Sequence, residues 1–190
     1  MSSNAFAVHL DELLKDAEEL DDAHTRLRTG NPGRQFGLAS LNRAAVVLCV
    51  SAWESYIEEL IRESLLVMRP TTGAMGVWST HFASMSGHLG RFNTPNAENV
   101  RTLLHDALGL QDVRNSWAWR NCTSQQAIQR LGAAMRQRHE IAHGVNPRPV
   151  VHNHYSSQLP DFIRRLGRAT DNAVRHQLVT ILGIANPWPA

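Results

Sequence analysis

Leu41-Asn42-Arg43-Ala44-Ala45-Val46-Val47-Leu48-Cys49-Val50-Ser51-Ala52-Trp53-Glu54-Ser55-Tyr56-Ile57-Glu58 is the stretch on which the fold turns. Leu41, Ala44, Ala45, Leu48, Ala52, Tyr56 and Leu60 recur at three- and four-residue steps, which puts them on one helix face. Val47, Val50, Trp53, Ile57 and Ile61 widen that face over a broad arc. A helix this apolar is central in a bundle or pairs with partners on two sides. Its unbroken apolar run, Ala44 to Val50, reaches only Trp53 if Ser51 is allowed. That is well short of the roughly 20 residues a membrane span needs. The pattern predicts a helix from about Gly37 to Val67, turning charged at Glu58, Glu59, Arg62 and Glu63.

Helical periodicity continues on both sides. Phe6, Leu10, Leu13, Leu14, Ala17, Leu20 and Leu27 form one stripe, predicting a first helix from about Asn4 to Arg28. Asn31-Pro32-Gly33 is a turn signal, and Pro70 to Gly76 breaks the chain. Val77 to Gly90 has modest helical character, with a loop at Arg91 to Asn93. Thr94 then reads as a cap with Pro95 in the first turn of a helix carrying Val100, Leu103, Leu104 and Leu108, ended by Gly109. Beyond a linker with Trp117 and Trp119, Thr123-Ser124-Gln125-Gln126 fits a capping box. The helix it opens carries Ile128, Leu131, Ala134, Met135, Ile141 and Ala142 and stops at Gly144. Pro147 and Pro149 prevent its continuation. A last helix is expected from about Gln158 to Leu182. No strand pattern and no internal repeat is visible. The expected architecture is all-α, a single domain over residues 1–190 built as a bundle of five or six helices.

Composition fits that picture. A chain of 190 residues can bury one sizeable core, and its 43% hydrophobic and 19% charged residues are those of an ordinary globular protein. The N-terminus shows no basic region followed by an apolar one, so no secretory signal is expected. Cys49 and Cys122 form no short-spaced motif, and Cys49 sits in an apolar stripe as a small core residue. These features lead to the expectation of a cytoplasmic protein with no membrane association. The formal net charge of +2 hides an asymmetry. Met1 to Glu63 carries 11 acidic and 6 basic residues, whereas Ser64 to Ala190 carries 6 acidic and 13 basic. Lys15 is the only lysine among the 19 basic residues. Codon usage in a GC-rich genome explains an arginine bias by itself; arginine also grips phosphate with a planar fork of donors.

Arg138-His139-Glu140-Ile141-Ala142-His143-Gly144 carries the chemistry, and it can be divided in two ways. From Arg138 it is an Arg and a His separated by four residues. From His139 it is His-Glu-x-x-His, the zinc-protease pattern. The Arg/His spacing arises by chance about once in a chain of this composition, so spacing alone proves nothing. His139 and His143 share a helix face and could bind one metal, but zinc needs a third ligand. An extended zinc-protease pattern wants Gly and His where this chain has Asn146 and Pro149, and no Glu follows His143. Asp161, Asp171, His152 and His154 keep a metal site open as an alternative.

The Arg-first division resembles the HEPN superfamily, whose ribonucleases carry Arg, a polar residue, three more residues, then His. Here those positions are Arg138, His139 and His143, with Ile141 and Ala142 expected on the buried side. Leu41 to Leu48 with Ala52 to Glu58 resembles the long second helix of the RiboL-PSP type of HEPN domain. Asn93 to Val100, running on to Leu108-Gly109, resembles that group's middle helix. Together these segments cover most of residues 38 to 145. The resemblance implies an all-helical domain that forms a homodimer and joins two Arg/His motifs across a two-fold cleft. It also implies RNA cleavage without metal or cofactor, in a toxin, antiphage-defence or RNA-processing setting, with a cognate antitoxin or defence partner.

The residue types suit that chemistry. RNA supplies its own nucleophile, the 2′-OH, so cleavage needs a base, an acid and positive charge on the phosphorane. Histidine serves proton transfer near neutral pH, and arginine stabilises the transition-state charge. His143 is the expected acid/base and Arg138 the expected cation; His139 either assists or orients the loop. On an ideal helix, positions five apart differ by about 140°, so the two do not converge from one regular helix. Either the helix end unwinds or a second copy completes the site. Glu54, a carboxylate on a largely apolar face, either orients Arg138 or His143, or forms a structural ion pair, or is simply exposed. Trp117 and Trp119 could stack on bases or pack in the core. Arg164, Arg165 and Arg168 could bind backbone phosphate or form a solvated face, and His152 and His154 read as loop residues. A non-catalytic helical module binding RNA, nucleotide or a protein partner is the other alternative.

Overall fold

A computed structural model describes residues 1–28, 38–144 and 149–188. The polypeptide begins with a π-helical segment, Ala5–Leu10, that runs directly into α1, Asp11–Leu27. Then come α2 Leu38–Val67, α3 Met75–Leu89, α4 Ala97–Leu108, a 3₁₀ turn Val113–Ser116, α5 Ser124–His143 and α6 Asn153–His176. A π-helical turn, Gln177–Ile181, extends α6. Among the described residues no strand is present; Trp119 and Cys122 make one isolated bridge. No helix among them is long and apolar enough to cross a membrane. The expected all-α architecture is observed. Asn31-Pro32-Gly33 and Asn146-Pro147 lie outside the described residues.

The breadth of its apolar surface puts α2 at the centre. Its 30 residues span about 45 Å, and α1, α3, α4, α5 and α6 all pack on it. Val50, Trp53, Tyr56, Ile57, Leu60 and Ile61 are buried as the sequence pattern requires, and Val46 and Cys49 join them, while Leu41, Ala44, Val47 and Leu48 of the expected faces are only half-buried. Burial also pushes the Cys49 thiol up to about 12, so this cysteine is a core residue. Three polar atoms of α2 tie the bundle together. Asn42 Nδ2 donates to the Val151 carbonyl at 3.0 Å, Trp53 Nε1 to the Pro95 carbonyl at 2.9 Å, and the Tyr56 hydroxyl to the Gly167 carbonyl at 2.9 Å. The Val151 and Pro95 carbonyls lie outside any helix, whereas Gly167 is in mid-α6 and its carbonyl takes the tyrosine as an additional donor.

Two boundaries differ from the sequence expectation. The α4 cap is Asn96, whose side chain accepts from Asn99 N at 2.8 Å, not Thr94. The Thr94 carbonyl instead receives the Asn99 side chain at 2.8 Å, so residues 94–96 form the approach to the helix. The last helix begins at Asn153, five residues before the expected start, and carries Pro160 inside it. Proline has no N–H, so it removes one donor from the second turn without ending the helix. His154 is therefore a first-turn helical residue, not a loop residue, and His152 is the residue just before the helix. The ambiguous stretch at Val77 to Gly90 is helical as α3, with Met85 and Leu89 its buried residues.

The N-terminal segment is fastened to the far end of the chain. Ser3 donates both its N–H and its hydroxyl to the Asp171 carboxylate, while Glu63 accepts the Asn4 and Ala5 amides at 3.1 and 3.0 Å. Gly167 lets α6 approach here: a Cβ would stand 2.5 Å from Leu10 Cδ2 and 3.3 Å from the Phe6 ring.

Candidate functional site

Helix α5 carries the Arg138 to His143 segment, and its start is well defined. The Thr123 side chain accepts from Gln126 N, while the Gln126 side chain accepts from Thr123 N at 2.8 Å, the reciprocal capping box expected from the sequence. Ala127, Leu131 and Ala134 form the buried stripe. Arg138 follows Ala134 by four residues and so continues that stripe one turn beyond the core. There it meets α2. Its charge reaches Glu54, whose carboxyl sits above the ordinary glutamate value. Burial causes that rise; Arg138 pulls the carboxyl down and Glu58 pushes it up. No ion pair within 4 Å joins Arg138 to any carboxylate among the described residues.

The two histidines look elsewhere. His139 and His143 are exposed, and their ring centroids lie 5.2 Å apart with planes at 47°. One turn apart on the helix, they form a paired imidazole surface. Ile141 is half-buried, as expected, but Ala142 is exposed.

The helix remains intact through His143 and ends at Gly144 with φ −64° and ψ 136°. That is extended backbone open to any residue, so the stop does not depend on left-handed geometry. Because the last turn does not unwind, Arg138 and His143 stay about 140° apart around the axis. One copy of the chain therefore presents the guanidinium against α2 and the imidazoles towards solvent, separated on the same helix end.

The other candidates fall into place one by one. For a metal, His139 and His143 offer two nitrogens, but no group of three or more metal-ligating side chains is assembled among the described residues. Trp117 is fully buried, donates to Thr170 Oγ1 at 2.9 Å, and meets Trp53 edge-on at 6.1 Å. It is a core residue and is not available to stack on a base. Trp119 is partly buried against Phe162, with centroids 6.1 Å apart. Arg164 is held by Asp11 at 3.0 Å and Glu18 at 2.9 Å, which makes it a clamp between α6 and α1. Arg165 pairs with Asp161 at 2.8 Å, and Arg168 lies over the Phe6 ring at 5.3 Å. Sequence reasoning passed over Arg130, Tyr155 and Gln158, which line a cavity of about 400 Å³ between α5 and α6. The available signal was the run from Arg130 to Arg138, with three arginines and no acidic residue before Glu140.

Comparison with curated proteins and with solved structures finds no match. The RiboL-PSP-HEPN family matches residues 11–176, from the first residue of α1 to the last of α6. The chain belongs to the RiboL-PSP-HEPN family.

Proposed function

We propose that this protein is a metal-independent endoribonuclease that works as a homodimer. HEPN domains usually carry ribonuclease activity. The observation that carries the reading is the end of α5: an arginine at the core edge with no carboxylate in ion-pair distance among the described residues, and two exposed histidines on the same final turns. In the proposed reaction His143 takes the proton from the 2′-OH. The 2′ oxygen bonds to phosphorus, Arg138 stabilises the charge on the phosphorane, and the P–O5′ bond breaks. His143 of a second copy protonates the departing 5′ oxygen. The products are a 2′,3′-cyclic phosphate and a 5′-OH, with no proton or electron left over.

The separation of Arg138 from His143 on one intact helix favours a two-fold site. Two α5 ends facing each other would surround one linkage with two guanidinium and two imidazole groups. Glu54, coupled to Arg138 through charge, would orient the guanidinium, and His139 would fix the facing of His143. A toxin or antiphage role, held in check by a cognate antitoxin or defence partner, belongs to the same proposal. In that setting, expression of the wild type alone arrests growth and His143→Ala does not.

The test is cleavage of RNA in EDTA. The wild type cuts RNA and leaves a 2′,3′-cyclic phosphate, a substrate with 2′-deoxy at the cut position survives, and His143→Ala is inactive. Activity abolished by EDTA and by Glu140→Gln, with Arg138→Ala harmless, would instead assign His139, Glu140 and His143 to zinc chemistry. Tight RNA binding with no cleavage would assign a binding module.

A further inference from the structure

We propose a phosphate-binding site at the α5–α6 junction that holds a backbone phosphate of the RNA strand away from the cleaved linkage. It rests on the ribonuclease reading above. The cavity there, about 400 Å³, is lined by Arg130, His154, Tyr155, Gln158 and Leu159. Arg130 comes eight residues before Arg138, about 12 Å along the helix axis, within reach of a short stretch of one bound strand.

The cations here are held in place but not neutralised. The Arg130 guanidinium carbon lies 4.6 Å from the centroid of the Phe162 ring, so the planar group is stacked and its N–H edge stays open to acceptors. Arg136 folds back along α5, its Nη1 3.5 Å from where a Cβ on Gly132 would stand. The charges of both arginines reach Tyr155. Among the described residues neither has a carboxylate within ion-pair distance, whereas Arg62, Arg101, Arg114, Arg164 and Arg165 are all paired. The acid nearest in sequence on α6, Asp161, is already held by Arg165 at 2.8 Å.

The second contribution comes from α6. Its N-terminal end carries no side-chain cap, and its early residues His154, Tyr155 and Gln158 form the other wall of the cavity. Uncapped first-turn amides and the positive end of a helix favour an anion. Gln158 Nε2 lies 3.5 Å from His154 Nδ1, an amide donor beside the same opening. The unpaired Arg130 guanidinium that lines the cavity, the Arg136 charge that reaches Tyr155, the Gln158 amide and the start of α6 together suit a compact oxyanion with several acceptor oxygens. A phosphodiester meets that requirement.

Binding of a labelled, uncleavable 2′-deoxy-substituted RNA to the full chain, measured by anisotropy at increasing salt, tests the site. Arg130→Gln/Arg136→Gln and the exposed-site variant Gln158→Glu should both weaken binding. For every phosphate the variant no longer grips, the slope of log Kd against log salt should also fall by about 0.7. Gln158→Glu disturbs no core packing, so it serves even where the double variant melts early. A parallel titration with AMP separates the sources. If AMP binding is abolished in the variants while the RNA slope is unchanged, the phosphate site stands and belongs to a free nucleotide. Unchanged binding of both probes in both variants overturns the site, as does a wild type that binds neither. Cleavage that still depends on His143 in that case would leave the ribonuclease reading intact. Variant-sensitive phosphate binding in a protein that cleaves no RNA would uphold the site and sink the nuclease.

Discussion

Arg138→Ala should separate catalysis from folding more cleanly than any other substitution in α5. The side chain is half-buried against α2, but its removal breaks no ion pair or hydrogen bond among the described residues. What the fold gives up is packing of the aliphatic stem, worth up to about 1 kcal/mol. In a chain of this size that lowers Tm by about 2–4 °C. The expected loss in cleavage is much larger. Removing one positioned donor to a developing oxyanion costs roughly 2.7–4 kcal/mol, a fall in kcat of about 10²–10³. Arg138→Lys keeps the charge and loses the fork, so its defect should be intermediate. There is also a spectroscopic sign. Arg138 is the group that pulls the Glu54 carboxyl down, so in Arg138→Ala the Glu54 carboxyl titrates higher still, visible in ¹³C-labelled glutamate spectra. The assay is cleavage of a short RNA in EDTA, with a thermal melt on the same sample. Activity within about tenfold of wild type, less than about 1.4 kcal/mol of transition-state stabilisation, would refute the role given to Arg138. So would a loss of activity that only follows a collapse in Tm.

Three further outcomes follow from the packing. Gly167→Ala sets a Cβ 2.5 Å from Leu10 Cδ2, so the fully buried Leu10 side chain must repack; a loss of about 1–3 kcal/mol is expected, read as a drop in Tm. Trp117→Phe gives up the bond to Thr170 inside the core; stability should fall by about 1–3 kcal/mol while RNA affinity is unchanged, and weakened RNA binding at unchanged stability would restore the stacking role. Asp171 is held above the ordinary aspartate value by burial, against the pull of Ser3. A raised acid binds its proton more tightly in the folded state, so its contribution to stability is greatest below the unfolded pKa and declines as pH rises through the folded one. Chemical denaturation across that window should show this decline in the wild type and not in Asp171→Asn.

Much of the fold was legible because the decisive signals are local. The wide apolar arc of α2 can be satisfied only by several neighbours, and it has them. The Thr123 capping box and the Gly109 stop, with its φ of +68°, act within a single turn and are found where the sequence puts them. The misplaced boundaries were decided by longer-range competition. The apolar pattern starts the last helix near Gln158, but α6 begins five residues earlier, next to Val151, whose carbonyl Asn42 of α2 holds. Thr94 and Asn96 are both good caps, and the side-chain bond from Asn99 to the Thr94 carbonyl accompanies the choice of Asn96.

The candidate site was legible as residue types and only partly as geometry. Helical spacing alone put His139 and His143 on one face and Arg138 on another, and the intact helix keeps them there. Spacing could also suggest that Glu54 needed a partner. That Arg138 is the cation it feels depends on how α5 crosses α2, which no local pattern encodes. The same holds for the cavity lined by Arg130 and Gln158, residues 28 apart in sequence that are brought to one opening because α5 and α6 both pack on α2.

If two α5 ends face each other across a two-fold axis, the residues at position 143 come together, and a spin label on each copy reads that distance. Cys49 and Cys122 are buried, so His143→Cys supplies the reactive thiol. The expected result is a dimer in solution whose two labels couple strongly at short distance. A monomer, or a dimer whose labels sit on opposite outer surfaces, would contradict it.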